Sequence, residues 1–453
     1  MGFDFLDFGF PKSGTDWKSI NGKPEIVVSS KGRSNQLSNK INDGADFGPD
    51  TTLNATSPSQ TGPPYTQTYG IQEAINYAFS KGIIFTGSGG TSLIIPEIKL
   101  NGEVYQINAP ITIPAASTGI AGPNFKMSGE GIQNTILLFN LNNEWGITIS
   151  PNNSYGMFVF ESFSPNSGVG FTPNGWLNAD WSDSSYAGQT NAVLRDINIY
   201  PANWAINSMV FKDMAVVMLI NVWDTTSATD KGPVLACKLN QWLGGVSYQP
   251  INLTNTPIGV FVVELDGLQS CPINVTFGTA LLSVRNCMGF VITLGAITMF
   301  NLYLENVHYG SLSSSALLSA SSATTIEMLT IRGLYTDVTQ TKSLIDSTYL
   351  TVNEIDAKGI YTSGGSLTLP AVSTPAVPAS GTAQANTNQY PVNVYVNGGT
   401  VTEVQITKNG TANTVFSNAT GLALAGQNFK LEVGDSITIT YTAAPSWVWL
   451  KSD

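Results

Sequence analysis

The 453-residue sequence predicts an all-β fold in which short strands stack on one another as a solenoid. One amphipathic helix lies near the N-terminus, and the segments after it have the pattern of short strands separated by turns. Only 11% of the residues are charged, so serine, threonine, asparagine and glycine supply the polarity, as in many strand-rich extracellular proteins. Strand patterns recur at near-regular intervals late in the chain, which favours regular coils.

The helix is predicted over residues 70–79, where apolar side chains occupy positions 71, 74, 75, 78 and 79. This spacing places them along one face of an α-helix. Lys81 and Gly82 follow, a cation and a glycine that are typical of a helix C-terminus. We expect the apolar face to cap the first coil of the solenoid.

Several short motifs follow one another between Asp43 and Leu138. They are Asp43-Gly44-Ala45, the helix, Ile95-Pro96, Gly102–Ile107, Ile111–Pro114 and the turn Gly129-Glu130-Gly131 before Thr135–Leu138. Their order resembles the opening segment of pectate-lyase-like right-handed parallel β-helices. The resemblance implies a right-handed parallel β-helix with an N-terminal capping helix. An ordinary α/β domain is the alternative, but the chain lacks the further helices that parallel crossovers need.

Later coils are predicted from three segments that share one alternating pattern: Leu302–Glu305, Leu329–Arg332 and Val352–Ile355. The intervals between their starting positions are similar, and each suits a single coil of a parallel β-helix. We therefore expect the β-helix to occupy residues 43–363.

The C-terminal part of the chain is predicted as a separate module. Residues 364–389 carry no charge and contain Pro370, Pro375 and Pro378, which is typical of a linker. Residues 390–453 contain five to seven short strand patterns with hairpin signals at Asn397-Gly398 and Asn409-Gly410. These features predict a small β-sandwich.

Composition limits the classes of partner. A net charge of −11 argues against a nucleic-acid backbone as the partner. No apolar segment is long enough to predict a membrane span. Cys237, Cys271 and Cys287 are irregularly spaced, unlike a disulfide framework or a zinc site, and the sequence predicts neither a metal nor a cofactor.

The N-terminal residues 1–42 are predicted as an arm. The phenylalanine-rich segment Met1–Phe10 lacks a basic region and is interrupted by Asp4 and Asp7, so it does not resemble a secretory signal. We expect this arm to attach the chain to other proteins of a virus particle. The alternative is a secreted chain whose signal has been removed.

Enzymatic chemistry is suggested by one pair of carboxylates, Glu264 and Asp266. In the segment Phe261–Asp266 the alternating apolar residues would face the core and leave both carboxylates outside. Their Cα atoms would lie about 6.6 Å apart, which allows glycosidase acid–base chemistry. A solvated strand face is the alternative. His308 is the only histidine and is not flanked by two glycines, unlike the histidine of the related pectin hydrolases.

Sugar binding is suggested by two groups of residues. A polar stretch over 168–189, predicted as a long loop, offers rings and carboxylates that suit a sugar: Trp176, Asp180, Trp181, Asp183 and Tyr186. Trp447 and Trp449 lie two residues apart and should share one face of a strand. Ordinary packing within the loop, the sandwich or a subunit interface is the alternative for both groups.

Together with the expected β-helix, the phenylalanine-rich N-terminal segment that does not resemble a secretory signal predicts a viral tail spike or fibre. Such a protein would stand on the virion surface, outside the cell, as a homotrimer that binds a host surface glycan. One alternative is a hydrolase or lyase that cleaves the glycan, and the sequence leaves this open because tail-spike active sites are assembled from different coils. The other alternative is a purely structural decoration of the capsid.

Overall fold

The computed structural model describes residues 25–30, 46–49, 51–54, 57–60, 66–80, 82–87, 90–115, 121–150, 156–182, 189–200, 203–226, 231–254, 262–269, 272–276, 281–289, 291–295, 298–309, 316–336, 342–362 and 367–452. The chain divides into two compact units. The first comprises the described parts of Met1–Thr293 and Val307–Leu312, and the second those of Leu294–Asn306 and Ser313–Asp453. No helix in the described ranges is long and apolar enough to cross a membrane.

Almost every element in these ranges is a strand. In chain order the elements are β1 (Glu25–Val28), β2 (Thr51–Asn54), β3 (Ser57–Gln60), α1 (Ile71–Ser80), β4 (Ile83–Gly87), β5 (Gly90–Ile94), β6 (Glu97–Leu100), β7 (Val104–Ile107), β8 (Ile111–Ile113), β9 (Ala121–Ser128), β10 (Ile136–Phe139), β11 (Trp145–Ile149), β12 (Met157–Ser167), β13 (Gly175–Asp180), β14 (Asn191–Ile199), β15 (Met209–Lys212), β16 (Val216–Asp224), β17 (Val234–Ala236), β18 (Leu239–Ser247), β19 (Ile251–Leu253), β20 (Val262–Gln269), β21 (Ile273–Val275), β22 (Leu281–Arg285), β23 (Ile292–Leu294), β24 (Thr298–Tyr309), β25 (Ala316–Ala320), β26 (Thr324–Thr336), β27 (Lys342–Ile345), β28 (Leu350–Thr362), β29 (Leu367–Thr368), β30 (Ala383–Ala385), β31 (Val392–Lys408), β32 (Thr411–Leu431), β33 (Ser436–Ala443) and β34 (Ser446–Lys451).

The first unit is a parallel β-helix, as the sequence predicts. One sheet has the strand order β1-β6-β9-β12-β14-β16-β18-β20-β22, and the other has the order β8-β11-β13-β15-β17-β19-β21-β23. From β6 onward, neighbouring strands in each sheet are separated in the chain by a strand of the other sheet. The chain contributes one strand to each sheet in every coil and returns one coil further along.

The N-terminal helix is confirmed over Ile71–Ser80, and its apolar face is buried through Ile71, Ala74, Ile75 and Ala78. The Thr68 hydroxyl accepts a hydrogen bond from the backbone N–H of Gln72 at 3.3 Å, which caps the first turn. Ahead of the helix, β1 pairs in parallel with β6, so part of the predicted arm belongs to the first sheet. Met1–Phe10 and Asp43-Gly44-Ala45 lie outside the described residues.

The long strands of the first sheet bend where the backbone adopts a positive φ. In five successive coils the residue at the bend is Asp196, Asn221, Gly244, Gly267 and Asn286, with φ between 49° and 72°. Asparagine, aspartate and glycine tolerate this left-handed conformation better than other residues. The Asn221 side-chain amide donates a hydrogen bond of 2.6 Å to the carboxylate of Asp196. These five residues, which we call the corner column, keep the coils in register although successive bends are not equally spaced along the chain.

In the second unit, β26 and β28 also pair in parallel, and β25, β27 and β29 form a second parallel set. Leu329 pairs with Ile355 in the structure, whereas the sequence comparison aligned Leu329 with Val352. The alternation of apolar residues alone does not fix the pairing register of β26 and β28. The register observed places the bend at Gly333 beside the bend at Gly359.

The C-terminal module is an antiparallel sheet with the order β30-β33-β31-β32, and β34 also pairs with β31. The long strand β31 pairs with β34 over its first half and with β33 over its second half. Bulges at Val396/Asn397 and Gly398/Val401 bend it between the two halves. The strands enclose one apolar core that includes Val394, Val404, Phe429, Ile437 and Trp449, which fits the small all-β module expected here.

Part of the predicted linker belongs to this module in the structure. The Trp447 indole N–H donates to the carbonyl of Pro375 at 2.7 Å, and the Tyr441 hydroxyl donates to the carbonyl of Pro378 at 2.8 Å. Asn388 accepts a hydrogen bond from the backbone N–H of Ser373 at 2.6 Å. Prolines have no N–H to donate, but their carbonyls accept these side-chain donors. The module therefore begins near residue 372, rather than at 390 as the sequence predicts.

Candidate functional site

The predicted catalytic carboxylates lie on the outer face of β20. Val263 and Leu265 are buried, and the alternating residues Glu264 and Asp266 are partly exposed. Each carboxylate accepts a hydrogen bond from an amide on a neighbouring coil: Glu264 from Gln241 at 2.6 Å and Asp266 from Asn286 at 2.8 Å. The orientation agrees with the sequence analysis, and the catalytic role stays a prediction.

In its described part, the stretch predicted as a sugar-binding loop contains a strand and places both tryptophans in the core. Residues 175–180 are strand β13, and both Trp176 and Trp181 are fully buried in the core of the first unit. Trp176 packs edge-on against Phe160 with ring centroids 5.9 Å apart, and Trp181 packs against Phe158 at 5.7 Å. A ring without exposed surface cannot stack on a sugar. The polar residues around these tryptophans suggested a loop, but the pairing of the segment as a strand directs both indoles inward.

Asp180, another member of that predicted site, is the last residue of β13. Burial alone would raise the pKa of Asp180, but hydrogen bonds from Ser182 and the ammonium group of Lys212 lower it below its usual value. The Asp180–Lys212 ion pair measures 3.0 Å, so this carboxylate already has a partner. Asp183 and Tyr186 lie outside the described residues.

Trp447 and Trp449 belong to the core of the C-terminal module. Trp449 is only 2% exposed, and the partly buried Trp447 packs against the same core. Their ring centroids lie 5.5 Å apart in an edge-to-face arrangement. The structure therefore agrees with the alternative, packing within the module, and these rings do not form an open platform.

An exposed aromatic pair lies instead on β26 and β28, at Tyr335 and Tyr361. The two residues are in register, their rings stack with centroids 5.1 Å apart and an interplanar angle of 20°, and they are 51% and 56% exposed. Each tyrosine follows a positive-φ glycine by two residues, Gly333 or Gly359. Neighbouring strands lie about 4.8 Å apart, so equivalent side chains on successive coils stack directly. We call this pair the tyrosine stack.

A sequence signal for the tyrosine stack exists. Arg332-Gly333-Leu334-Tyr335-Thr336 and Lys358-Gly359-Ile360-Tyr361-Thr362 are two copies of one short pattern, placed one coil apart. The repeated glycine marks the bend and the repeated tyrosine the exposed position after it. A search for short repeats near the coil period, rather than for aromatic residues in polar surroundings, would have found this pair.

A cleft of about 540 Å³ lies between β28 and the C-terminal module, within the second unit. Its charged lining consists of Glu354, Asp356 and Lys358 on one side and Lys430, Glu432 and Lys451 on the other. Gly359 also lines the cleft, and a Cβ atom placed on it would lie 3.5 Å from the Tyr361 ring. The cleft and the tyrosine stack therefore adjoin.

The three carboxylates of the cleft have different environments. Asp356 pairs with Arg332, whose hydrogen bond lowers the pKa of Asp356, and Glu432 pairs with Lys430 at 3.0 Å. The side chain of Glu354 makes neither a hydrogen bond nor an ion pair with any described residue. Burial raises the pKa of Glu354, and the negative charges of Glu432 and Asp356 raise it further. The pKa of Glu354 is therefore raised, whereas that of Asp356, two residues along the same strand, is lowered.

Metal and thiol chemistry have no comparable site in the described ranges. No three or more histidine, cysteine, aspartate or glutamate side chains are grouped there in a way that could hold a metal ion. Burial raises the pKa of the Cys237 thiol to about 12 and that of Cys287 to about 11. Both thiols therefore stay protonated near neutral pH and are poor nucleophiles. Cys271 lies outside the described residues.

Comparisons with known proteins add little to this description. No protein-family profile matches the chain, and no curated protein matches its sequence. Among solved structures, the A-module of the mannuronan C-5 epimerase AlgE6 from Azotobacter vinelandii is similar, with 9% sequence identity and a TM-score of 0.24. The match covers 67% of this chain and 95% of that one. The strand pairing within each sheet identifies the parallel β-helix.

Proposed function

We propose that this chain binds an extended surface glycan through the tyrosine stack. The observation that carries the proposal is the stack itself, two parallel rings of which about half the surface is exposed. Such rings offer an apolar face to the C–H groups of a sugar and a hydroxyl for hydrogen bonds. The stack runs from one coil to the next and continues toward the cleft, an arrangement that suits a linear polymer.

In this proposal the protein is a tail spike or tail fibre on the virion surface. It attaches to a host glycan, assembles as a homotrimer, and joins other virion proteins through its N-terminal arm. Support comes from the motif order between Asp43 and Leu138 and from the low charge fraction of 11%. A capsid decoration without a glycan ligand is the competing function, and it differs in requiring no sugar binding.

The binding test compares the full chain with the double variant Tyr335→Ala/Tyr361→Ala. The probes are hyaluronan and polygalacturonate as uronate polymers and dextran and mannan as neutral polymers. Loss of both rings should weaken binding about tenfold or more, since two aromatic contacts contribute about 1–3 kcal/mol.

Tyr349→Ala is the matched control, because Tyr349 is 53% exposed but belongs to neither the stack nor the cleft lining. The proposal fails if no polymer binds the unmodified chain. It also fails if the double variant binds as well as the Tyr349→Ala control.

Assembly is tested separately by light scattering of the full chain. A homotrimer should show three times the monomer mass of 48.2 kDa. A stable monomer at micromolar concentration would contradict the trimeric part of the proposal and leave the glycan site unaffected.

A further inference from the structure

The cleft beside the tyrosine stack combines an unpaired carboxyl group with an ion-paired one. Glu354 has no partner among the described residues, and Glu432 is held by Lys430 at 3.0 Å. We infer that this cleft hydrolyses a glycosidic bond of the bound glycan, with Glu354 as the proton donor and Glu432 as the base. The inference rests on the proposed glycan-binding function and adds a reaction to it.

The position of the cleft allows a polymer to reach both carboxyl groups. A volume of about 540 Å³ lies within the range of ordinary ligand sites, about 300–1,000 Å³. Gly359 forms part of the wall next to Tyr361, so there is no side chain between the ring and the cleft at this point. A glycan that lies on the tyrosine stack can therefore extend into the cleft.

The different environments of the two carboxyl groups suit different roles. A general acid must hold a proton near the working pH, and burial together with the charges of Glu432 and Asp356 raises the pKa of Glu354. Glu432 instead forms an ion pair with the ammonium group of Lys430 at 3.0 Å, whereas the side chain of Glu354 has no such partner among the described residues. Acid and base in glycosidases are commonly separated by such differences in environment.

The step balances with water as the co-reactant. Glu354 donates its proton to the glycosidic oxygen as the bond from this oxygen to the anomeric carbon breaks, and the bonding electron pair stays on the oxygen. Glu432 removes a proton from a water molecule, whose oxygen forms the new bond to the anomeric carbon. Glu354 is left ionised and Glu432 protonated, and exchange with solvent restores both.

The charged side chains of the cleft that have no ion-pair partner favour an acidic glycan. Arg332 neutralises Asp356 and Lys430 neutralises Glu432, so Lys358 and Lys451 are left as uncompensated cations when Glu354 is protonated. Lys451 lines the cleft, and its ammonium group also lies 4.8 Å from the centroid of the Tyr390 ring. A uronate carboxylate can pair with these two cations. The substrate class is therefore a polymer with carboxylate-bearing sugars, cleaved in preference to a neutral one.

The test measures new reducing ends released from hyaluronan and polygalacturonate by the full chain, with dextran and mannan for comparison. Glu354→Gln should lower release at least about a hundredfold, the usual contribution of a general acid, while binding of the same polymers stays unchanged. Glu327→Gln is the matched control, because Glu327 is an exposed carboxylate on β26 that is absent from the cleft lining.

Each outcome has a defined meaning. Binding without any release by the unmodified chain overturns the hydrolytic cleft and leaves the glycan-binding function intact. Loss of release in Glu264→Gln, with full release in Glu354→Gln, moves the reaction to the carboxylates of β20 and also overturns it. Absence of binding overturns both the proposed function and this inference.

A pH profile separates a proton donor from a residue that only supports the structure. The groups facing Glu354 are Asp356 and Lys358 from β28, Lys430 from β32, Glu432 just beyond it, and Lys451 from β34. Release should fall as pH rises through the raised pKa of Glu354, because the proton donor is then ionised. The residual release of Glu354→Gln should lack this fall. An unchanged profile in the variant would contradict the assignment.

Discussion

The two tryptophans in and beside β13 and the two tyrosines of β26 and β28 show how position decides the role of an aromatic residue. Trp176 and Trp181 lie in a polar stretch of sequence but are fully buried. Tyr335 and Tyr361 each follow an apolar residue but are half exposed. The tyrosines follow the bend of a coil by two residues, whereas the tryptophans lie on an inward position of a strand or immediately after it. Distance from the bend is therefore a better guide to a binding surface than local polarity.

This comparison predicts that changes inside the coils alter stability, whereas changes to the tyrosine stack alter binding. The interior of the first unit and the exposed stack of the second unit can be varied independently. The following substitutions test that separation.

The largest effect is expected for Trp176→Ala. Removal of this fully buried indole should lower the free energy of unfolding by about 3–5 kcal/mol, because its contacts with Phe160 and Phe163 are replaced by a cavity. Trp176→Phe should cost clearly less, since the indole N–H has no hydrogen-bond partner among the described residues. Urea unfolding measures both, and a loss below about 1 kcal/mol for the alanine variant would contradict full burial.

The next largest loss of stability is expected for substitution of Asp224, which is fully buried in the first unit. Its carboxylate accepts hydrogen bonds from the Ser208 hydroxyl and from the hydroxyl and backbone N–H of Thr226, which in turn accepts from Trp204. Asp224→Ala leaves these donors unsatisfied and should cost about 2 kcal/mol or more. Unfolding in urea at a fixed pH checks this value, and an unchanged midpoint would contradict the hydrogen-bond network.

Asp224 should also make the free energy of unfolding depend on pH. Burial raises the pKa of Asp224 above its usual value, so the folded state holds this proton more tightly than the unfolded state. The resulting stabilisation is complete below the pKa of this carboxyl group in the unfolded state, about 4. It is lost as pH rises through the higher pKa that the group has in the folded state. Asp224→Asn should lack this component. Unfolding of both proteins from acidic to neutral pH tests it, and parallel pH curves would contradict the prediction.

A smaller effect is expected for Gly359→Ala. Gly359 has a φ of +69°, which should make alanine unfavourable by about 1–2 kcal/mol. Gly359→Asn should recover part of this loss, because asparagine occupies the equivalent bend at Asn221 and Asn286. Thermal unfolding compares the two variants, and equal losses would show that steric contact rather than backbone conformation determines the cost.

The smallest effect on stability is expected for Tyr361→Ala. The ring is 56% exposed and contributes chiefly its stacking on Tyr335, so the free energy of unfolding should fall by only about 0.5–1.5 kcal/mol. Glycan binding should nevertheless decrease. A large loss of stability with unchanged binding would reverse the comparison and assign the stack to the scaffold.

The sequence predicted the fold through signals that are local in the chain. The helix over 71–80 and the order of short strands after it required only periodicity and turn residues. The pairing register between neighbouring coils was harder to predict, because the coils differ in length. By apolar pattern alone, Leu329 can be aligned with either Val352 or Ile355.

The candidate site was not predictable in the same way. Glu354 and Glu432 are far apart in the chain, and only the packing of the module against β28 brings them to one cleft. The burial of Trp176 and Trp181 was not predictable for a related reason. A short buried strand with polar neighbours has the sequence pattern of a loop, and only its pairing with β11 and β15 identifies it as a strand. Pairing between coils, rather than composition, determines which side chains meet.

The corner column also bears on how such a protein can change during evolution. The five bends from Asp196 to Asn286 stay in register although the last two lie closer together along the chain than the first two. Residues gained or lost between two bends therefore leave the neighbouring coils aligned. Such segments can be exchanged between lineages as units, and a new recognition loop can be acquired by recombination without redesign of the scaffold that carries it.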